Sequence, residues 1–171
     1  MFFIVESTAR FSPSKCTPGI SISKNCRRAE YHKDNKDNHT EKWAFCDSPT
    51  DVFKVKVSSN RKHSNMFIGF VLSTSELREF WKKSWLIETG GHCLLEQEEW
   101  REWKGGRGIP ITEGSTVSVE KLFEEKALVF RVNGKVIHEK VLTRLQASDF
   151  KQLIGCVFLF FKGDVVKIIW D

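Results

Sequence analysis

A chain of 171 residues, 40% hydrophobic, with 14 Phe and 6 Trp against a single Tyr, suits one packed domain over 1–171, burying roughly two-thirds of its unfolded surface. No apolar run reaches the ~18 residues of a membrane span, and Met1-Phe2-Phe3-Ile4-Val5 meets Glu6 too soon to be a secretory signal, so an intracellular, non-membrane protein is expected. The net charge of +5 is concentrated before Met66, where 12 Lys/Arg face 7 Asp/Glu while the remainder balances at 15 against 15; a solvated face is the plainer explanation, an acidic partner or RNA the sharper one.

From the N-terminus onward the prevailing pattern is alternation with period two, the mark of strands with one face on a core and one in water. In "GISIS" Ile20 and Ile22 share one face, Ser21 and Ser23 the other. The polar stretch "NCRRAEYHKDNKDNHT" (25–40) follows and holds Arg27, Arg28 and Lys33. Its sequon Asn38-His39-Thr40 is expected to stay unglycosylated in an intracellular protein. "VFKVKVSS" turns Phe53, Val55 and Val57 inward against Lys54, Lys56 and Ser58, and the short basic "SSNRKHSN" (58–65) adds His63 and Asn65.

"MFIGFVL" (66–72) is apolar throughout, as in a strand buried on both faces. "STSELREFWKK" (73–83) is the only helical signal: Ser73 and Glu76 make a capping box, and Leu77, Phe80 and Trp81 share a face, giving a short helix near 74–82. "TGGHCLLEQEEWREWKGGRG" (89–108) mixes glycines, carboxylates, Trp100 and Trp103. "TVSVEKL" again points Val117 and Val119 inward.

In "LVFRVNGKVIHEKV" the dipeptide Asn133-Gly134 favours a two-residue type I′ turn, because both central residues take positive φ. That turn sets Val132 opposite Lys135, Phe130 opposite Ile137 and Leu128 opposite Glu139. "LIGCVFLFF" (153–161) and "VVKIIW" (165–170) are apolar runs separated by a second short reversal, Lys162-Gly163-Asp164. Asp171 follows one residue later, the ending expected of an excerpt from a longer protein. Many short strands without long alternating helices predict an all-β antiparallel sandwich or barrel. Trp43, Trp85, Trp170, Phe53, Phe67, Phe130 and Val157 are assigned to its core or margin.

Five cysteines, odd in number and without Cys-x-x-Cys, give neither a disulfide framework nor a zinc signature; Cys46 and Cys156 are read as small interior hydrophobes. His92 cannot readily serve as base for Cys93, since adjacent residues on an extended chain face opposite ways. Glu96 and Glu98 raise a glycosidase alternative: side by side on one strand they would stand roughly 5–7 Å apart, near the spacing of a retaining pair, with Trp100 and Trp103 as sugar platforms. Their neighbours Arg101 and Lys104, and a turn-rich setting, speak against it. No metal and no cofactor are expected.

Taken together the landmarks resemble a SPRY domain. "FSPSKCTPGISISKNCRRAEYH" resembles the family's opening, "KWAFCDSP" with "DVFKVKV" its next signature, and "MFIGFVL" its Ile-Gly-Val-type strand. "SWLIETGGHCLL" is similar to its Ser-Trp segment, and "EGSTVSVEKLFEEKALVFRVNGKVI" matches best, although Ser115 stands where the family has Asp. "LIGCVFLFFKGDVVKII" resembles the closing pair of strands, so the likeness covers about 11–170.

The resemblance implies a concanavalin-like sandwich of two curved antiparallel sheets, and a non-enzymatic module gripping a protein or short peptide through variable edge loops. Phe161 falls where some SPRY adaptors place an aromatic against the bound peptide, and Lys162 follows it. Arg27, Arg28 and Lys33 on one loop, and His63 and Asn65 on another, would supply a basic rim for an acidic ligand. Trp100 and Trp103, three apart on a strand, would face opposite ways, leaving one as an interface anchor. The expected role is a substrate-recruiting or scaffolding subunit, as a monomer or within a larger complex. RNA binding through the basic N-terminal third is the main alternative.

Overall fold

Period-two alternation becomes strand throughout the residues that this computed structural model describes, namely 9–32, 42–60, 66–72, 84–89, 93–96, 99–102, 110–143 and 145–169, with 93–102 described by strand position only. The first seven strands are β1 (Phe11–Cys16), β2 (Ile20–Ile22), β3 (Arg28–Tyr31), β4 (Trp43–Cys46), β5 (Val52–Ser59), β6 (Phe67–Leu72) and β7 (Ser84–Glu88). The rest are β8 (Cys93–Glu96), β9 (Glu99–Glu102), β10 (Thr116–Leu122), β11 (Ala127–Val132), β12 (Lys135–Val141), β13 (Leu153–Phe158) and β14 (Val165–Ile168), with helix α1 (Ala147–Lys151) before β13. Sheet one runs β1-β4-β13-β6-β7-β8-β9 and sheet two β12-β11-β10-β5-β14-β3-β2. Every pairing is antiparallel. The expected all-β, two-sheet sandwich is what forms.

The sheets meet through interlocking rings. Phe53 on β5 lies edge-on to Phe11 at 6.2 Å and tilted against Phe70 at 6.3 Å, so one aromatic bridges sheet two to two strands of sheet one. It needs room, and Gly155 on β13 supplies it: a Cβ there would sit 2.4 Å from the Phe53 ring. Val55, Val57, Val117 and Val119 are fully buried as their alternation requires, while Lys56 and Ser58 are exposed. β6 is buried along its whole length, as its unbroken apolar sequence demands. Trp43, Trp85, Phe67, Phe130, Val157, Cys46 and Cys156 are buried as expected; Trp170 lies outside the described residues.

The Asn133-Gly134 turn has φ of 50° and 78° and pairs Val132 with Lys135, as predicted. Beyond it the register departs from expectation. Arg131 pairs with Val136 but Phe130 pairs with His138 and Leu128 with Lys140, so Ile137 is an extra residue in β12 and the hairpin carries a β-bulge. The second reversal is corrected as well. β13 ends at Phe158 and lies in sheet one, whereas β14 lies in sheet two, so Lys162-Gly163-Asp164 belongs to a crossing between sheets and not to a hairpin. The helix expected near 74–82 lies outside the described residues. Sequence patterning did not indicate α1, whose N-cap Gln146 makes no side-chain capping bond and whose anchor is the single buried Phe150. No helix among the described residues is long and apolar enough to cross a membrane.

Candidate functional site

Where the chain crosses from β13 to β14, a buried carboxylate fixes the backbone. Asp164 is fully buried, and its Oδ2 accepts the backbone N–H of Phe160 at 3.0 Å and of Phe161 at 2.7 Å. The Asp164 N–H returns to the Phe161 carbonyl at 2.9 Å. Gly163, at φ +88°, lets the turn close, and its N–H donates to the Tyr31 carbonyl at 2.8 Å. The loop is thereby tied to the last residue of β3.

Lys42, just ahead of β4, completes the arrangement from the other sheet. Its Nζ donates to the Phe160 carbonyl at 2.8 Å and stands 4.7 Å from the Tyr31 ring centre and 5.2 Å from that of Phe160. Burial pushes its ammonium down from the usual lysine range, and the Asp164 carboxylate opposes that shift. An aromatic chain leads outward over the same corner: Trp43 to Phe158 at 4.9 Å, Phe158 to Phe160 at 6.1 Å, and Phe160 to Phe161 at 4.8 Å, edge-on. The chain begins at a fully buried Trp43 and comes to the surface at Phe160, which is 40% exposed. Phe161 is half-buried and Lys162 exposed. A rigid aromatic platform with cations beside it can receive an apolar side chain and an adjacent carboxylate.

The expected site residues fall into three places. Phe161 and Lys162 lie on the platform. Lys33, His63 and Asn65 lie outside the described residues. Arg27 and Arg28 are not here. They sit at the opposite end of β3, roughly 10 Å along the strand, where Arg28 pairs with Glu30 at 2.6 Å and the Arg27 carbonyl accepts from Ile168 at 2.7 Å. Trp100 is on β9, the edge strand of sheet one, four strands from β13 and so roughly 19 Å away; Trp103 lies outside the described residues.

Glu96 is the last residue of β8, with Glu99 of β9 as its register partner; Glu98, expected beside it, lies outside the described residues. Among the described residues no group of three His, Cys, Asp or Glu is placed to hold a metal. Sequence reasoning passed over Phe160, Lys42, Tyr31 and Asp164. Phe160, although it lies within the apolar run 153–161, is more exposed than Phe161, because β13 has already ended. The available signal was Gly163-Asp164 directly before an apolar strand, a turn whose aspartate can bond backbone N–H groups behind it.

No family model matches the sequence, and no curated protein matches it. Solved structures do. The SPRY domain of human HERC1 superposes with a TM-score of 0.67 at 15% identity, covering 94% of this chain and 97% of that one. A human SPRY domain gives 0.64 at 15% identity over 88% and 94%, and the TRIM65 PSpry domain 0.64 at 11% over 94% and 88%. TM-scores above 0.6 with near-complete mutual coverage thus agree with the motif resemblance, and the chain is folded as a SPRY-type β-sandwich.

Proposed function

We propose that this sandwich is a non-enzymatic recognition module that grips a protein or short peptide at the β13–β14 crossing. Phe160 and Phe161 act as the apolar anchor, with Lys162 beside them; Lys33, His63 and Asn65 are kept as candidate contacts from the sequence alone. The observation carrying this reading is that an aromatic pair, Phe160 exposed and Phe161 half-buried, is held by buried groups, Asp164 and Lys42, whose bonds go to the loop backbone. Such a loop is ordered before binding, so little conformational entropy is lost on docking. The solved SPRY domains that share the fold support a role in protein interaction. The module would act inside the cell, as a recruiting or scaffolding subunit, over a single domain.

Selection of peptides from a random display library on the purified chain tests this. Enriched peptides should share an apolar residue, and Phe160→Ala and Phe161→Ala should each weaken them by about 1–4 kcal/mol with the thermal midpoint nearly unchanged. Peptides that bind the double alanine variant as well as the native chain would refute the platform as the site. A matching fall in Tm would assign the rings to the core.

A further inference from the structure

We propose that the outer face of sheet two is a second docking surface, fitted to an extended, carboxylate-rich protein segment. A cross-strand row of like charge carries the inference. Arg28 on β3 stands opposite Lys167 on β14, and Lys167 stands opposite Lys56 on β5. All three are exposed, because Ala29, Val166, Ile168, Val55 and Val57 between them fill the inner face. Neighbouring strands lie roughly 4.8 Å apart, so the row spans roughly 10 Å. Like charges directly opposite one another work against a sheet, and three in succession are a poor choice for mere solubility.

The row leads into a groove. Lys56 pairs with Thr116 on β10, and Thr116, Ser118, Lys54 and Asn133 line a depression of about 670 Å³ together with Glu120 and Arg131. On the part of this face formed by β3, β14, β5 and β10 the carboxylates are already engaged, Glu120 with Arg131 at 2.5 Å and Glu30 with Arg28 at 2.6 Å. Lys56 and Lys167 form no ion pair with any described residue. The uncompensated charge is therefore positive, and its complement is an anion.

An extended peptide shows alternate side chains on one side roughly 6.8 Å apart, a spacing that flexible lysine stems reach for two or three carboxylates. Nucleic acid fits less well. The exposed large hydrophobics among the described residues are Phe123, Val136, Val141 and Phe160, none on the outer face of β3, β14, β5 or β10, so single-stranded bases find no described ring to stack on.

The surface is independent of the β13–β14 platform, and the experiment keeps the two apart. Fluorescence anisotropy on the full chain would use a labelled peptide of Glu alternating with Ser, its Gln counterpart, and labelled oligouridine, at about 50 and 200 mM salt. The Glu peptide should bind and weaken with salt, and the Gln peptide should not bind. The combined Lys56→Glu and Lys167→Glu change should reduce binding about tenfold or more, while the Phe160→Ala, Phe161→Ala chain should bind as the native one does. Should the charge reversals disturb the circular dichroism spectrum, Lys56→Gln with Lys167→Gln replaces them. Equal binding of the Glu and Gln peptides, no binding of the Glu peptide, or indifference to both lysine variants would overturn the proposal. So would oligouridine binding more tightly than the Glu peptide and losing affinity in the same variants.

Discussion

Replacing Lys121 with Met is expected to remove a contribution to stability that grows in the native chain from about pH 7 to about pH 10. Lys121 shares the inner face of β10 with Val117 and Val119 and is 4% exposed. Its Nζ donates to the Leu153 carbonyl at 2.9 Å and the Lys151 carbonyl at 3.4 Å, and lies 5.2 Å from the Phe70 ring centre. Burial pushes its pKa from 10.5 down to about 8, with the Asp51 carboxylate pulling the other way. Between those values the unfolded chain holds a proton that the folded chain has released, so stability increases with pH. At about 1.36 kcal/mol per unit, the gain from pH 7 to pH 10 is about 2.5 kcal/mol.

Cys46 and Cys156 act in the opposite sense. Burial holds both thiols above their usual range, so the folded chain keeps protons that unfolded cysteines give up above about pH 8.5, and stability falls there. A single curve mixes these effects, but the difference between native chain and variant isolates the lysine. For a protein of this size about 1 kcal/mol moves Tm by about 2–4 °C, so the Tm difference should change by about 5–10 °C across the range. Parallel curves would show that the ammonium stays hydrated and that the reading of its burial is wrong.

Two further outcomes follow from the core and the crossing. Asp164→Ala leaves two part-buried N–H groups without their acceptor and Lys42 without its carboxylate; a loss of about 2–4 kcal/mol in urea unfolding is expected, and Phe160 and Phe161 amides should lose hydrogen-exchange protection first. Gly155→Ala drives a methyl into the Phe53 ring, which Phe11 and Phe70 hold in place, for a loss of about 1–3 kcal/mol. Phe53→Leu in the same chain should recover part of that loss, and strictly additive effects would contradict the contact.

The strands were legible because their chemistry is local. Lys54, Lys56 and Ser58 alternate with Phe53, Val55 and Val57, and the unbroken apolar β6 announces burial on both faces without any knowledge of partners. The bulge at Ile137 was not legible, since Asn133-Gly134 fixes only the first pair and the later slip depends on how Phe130 and His138 meet, stacked at 6.0 Å. Nor was the sheet change between β13 and β14: a Gly-Asp turn reads alike in a hairpin and in a crossing. α1 escaped because five residues with one buried Phe carry no periodicity. Arg27 and Phe161 were grouped by charge and by the family resemblance, yet β3 sets them at opposite ends, and strand direction is invisible until pairing is known.

β14 links the two proposed surfaces. Asp164 at its entrance holds the aromatic platform, and Lys167, three residues on, stands in the cationic row roughly 10 Å away. Their physics differs. Rings docked against a preformed loop act at contact range and chiefly govern dissociation, whereas an exposed row of charge acts over about a Debye length and chiefly governs encounter. A single partner engaging both would need an apolar anchor followed, within four or five extended residues, by acidic ones. Its association rate would fall with salt while its dissociation rate held steady, and truncating Phe160 would do the reverse.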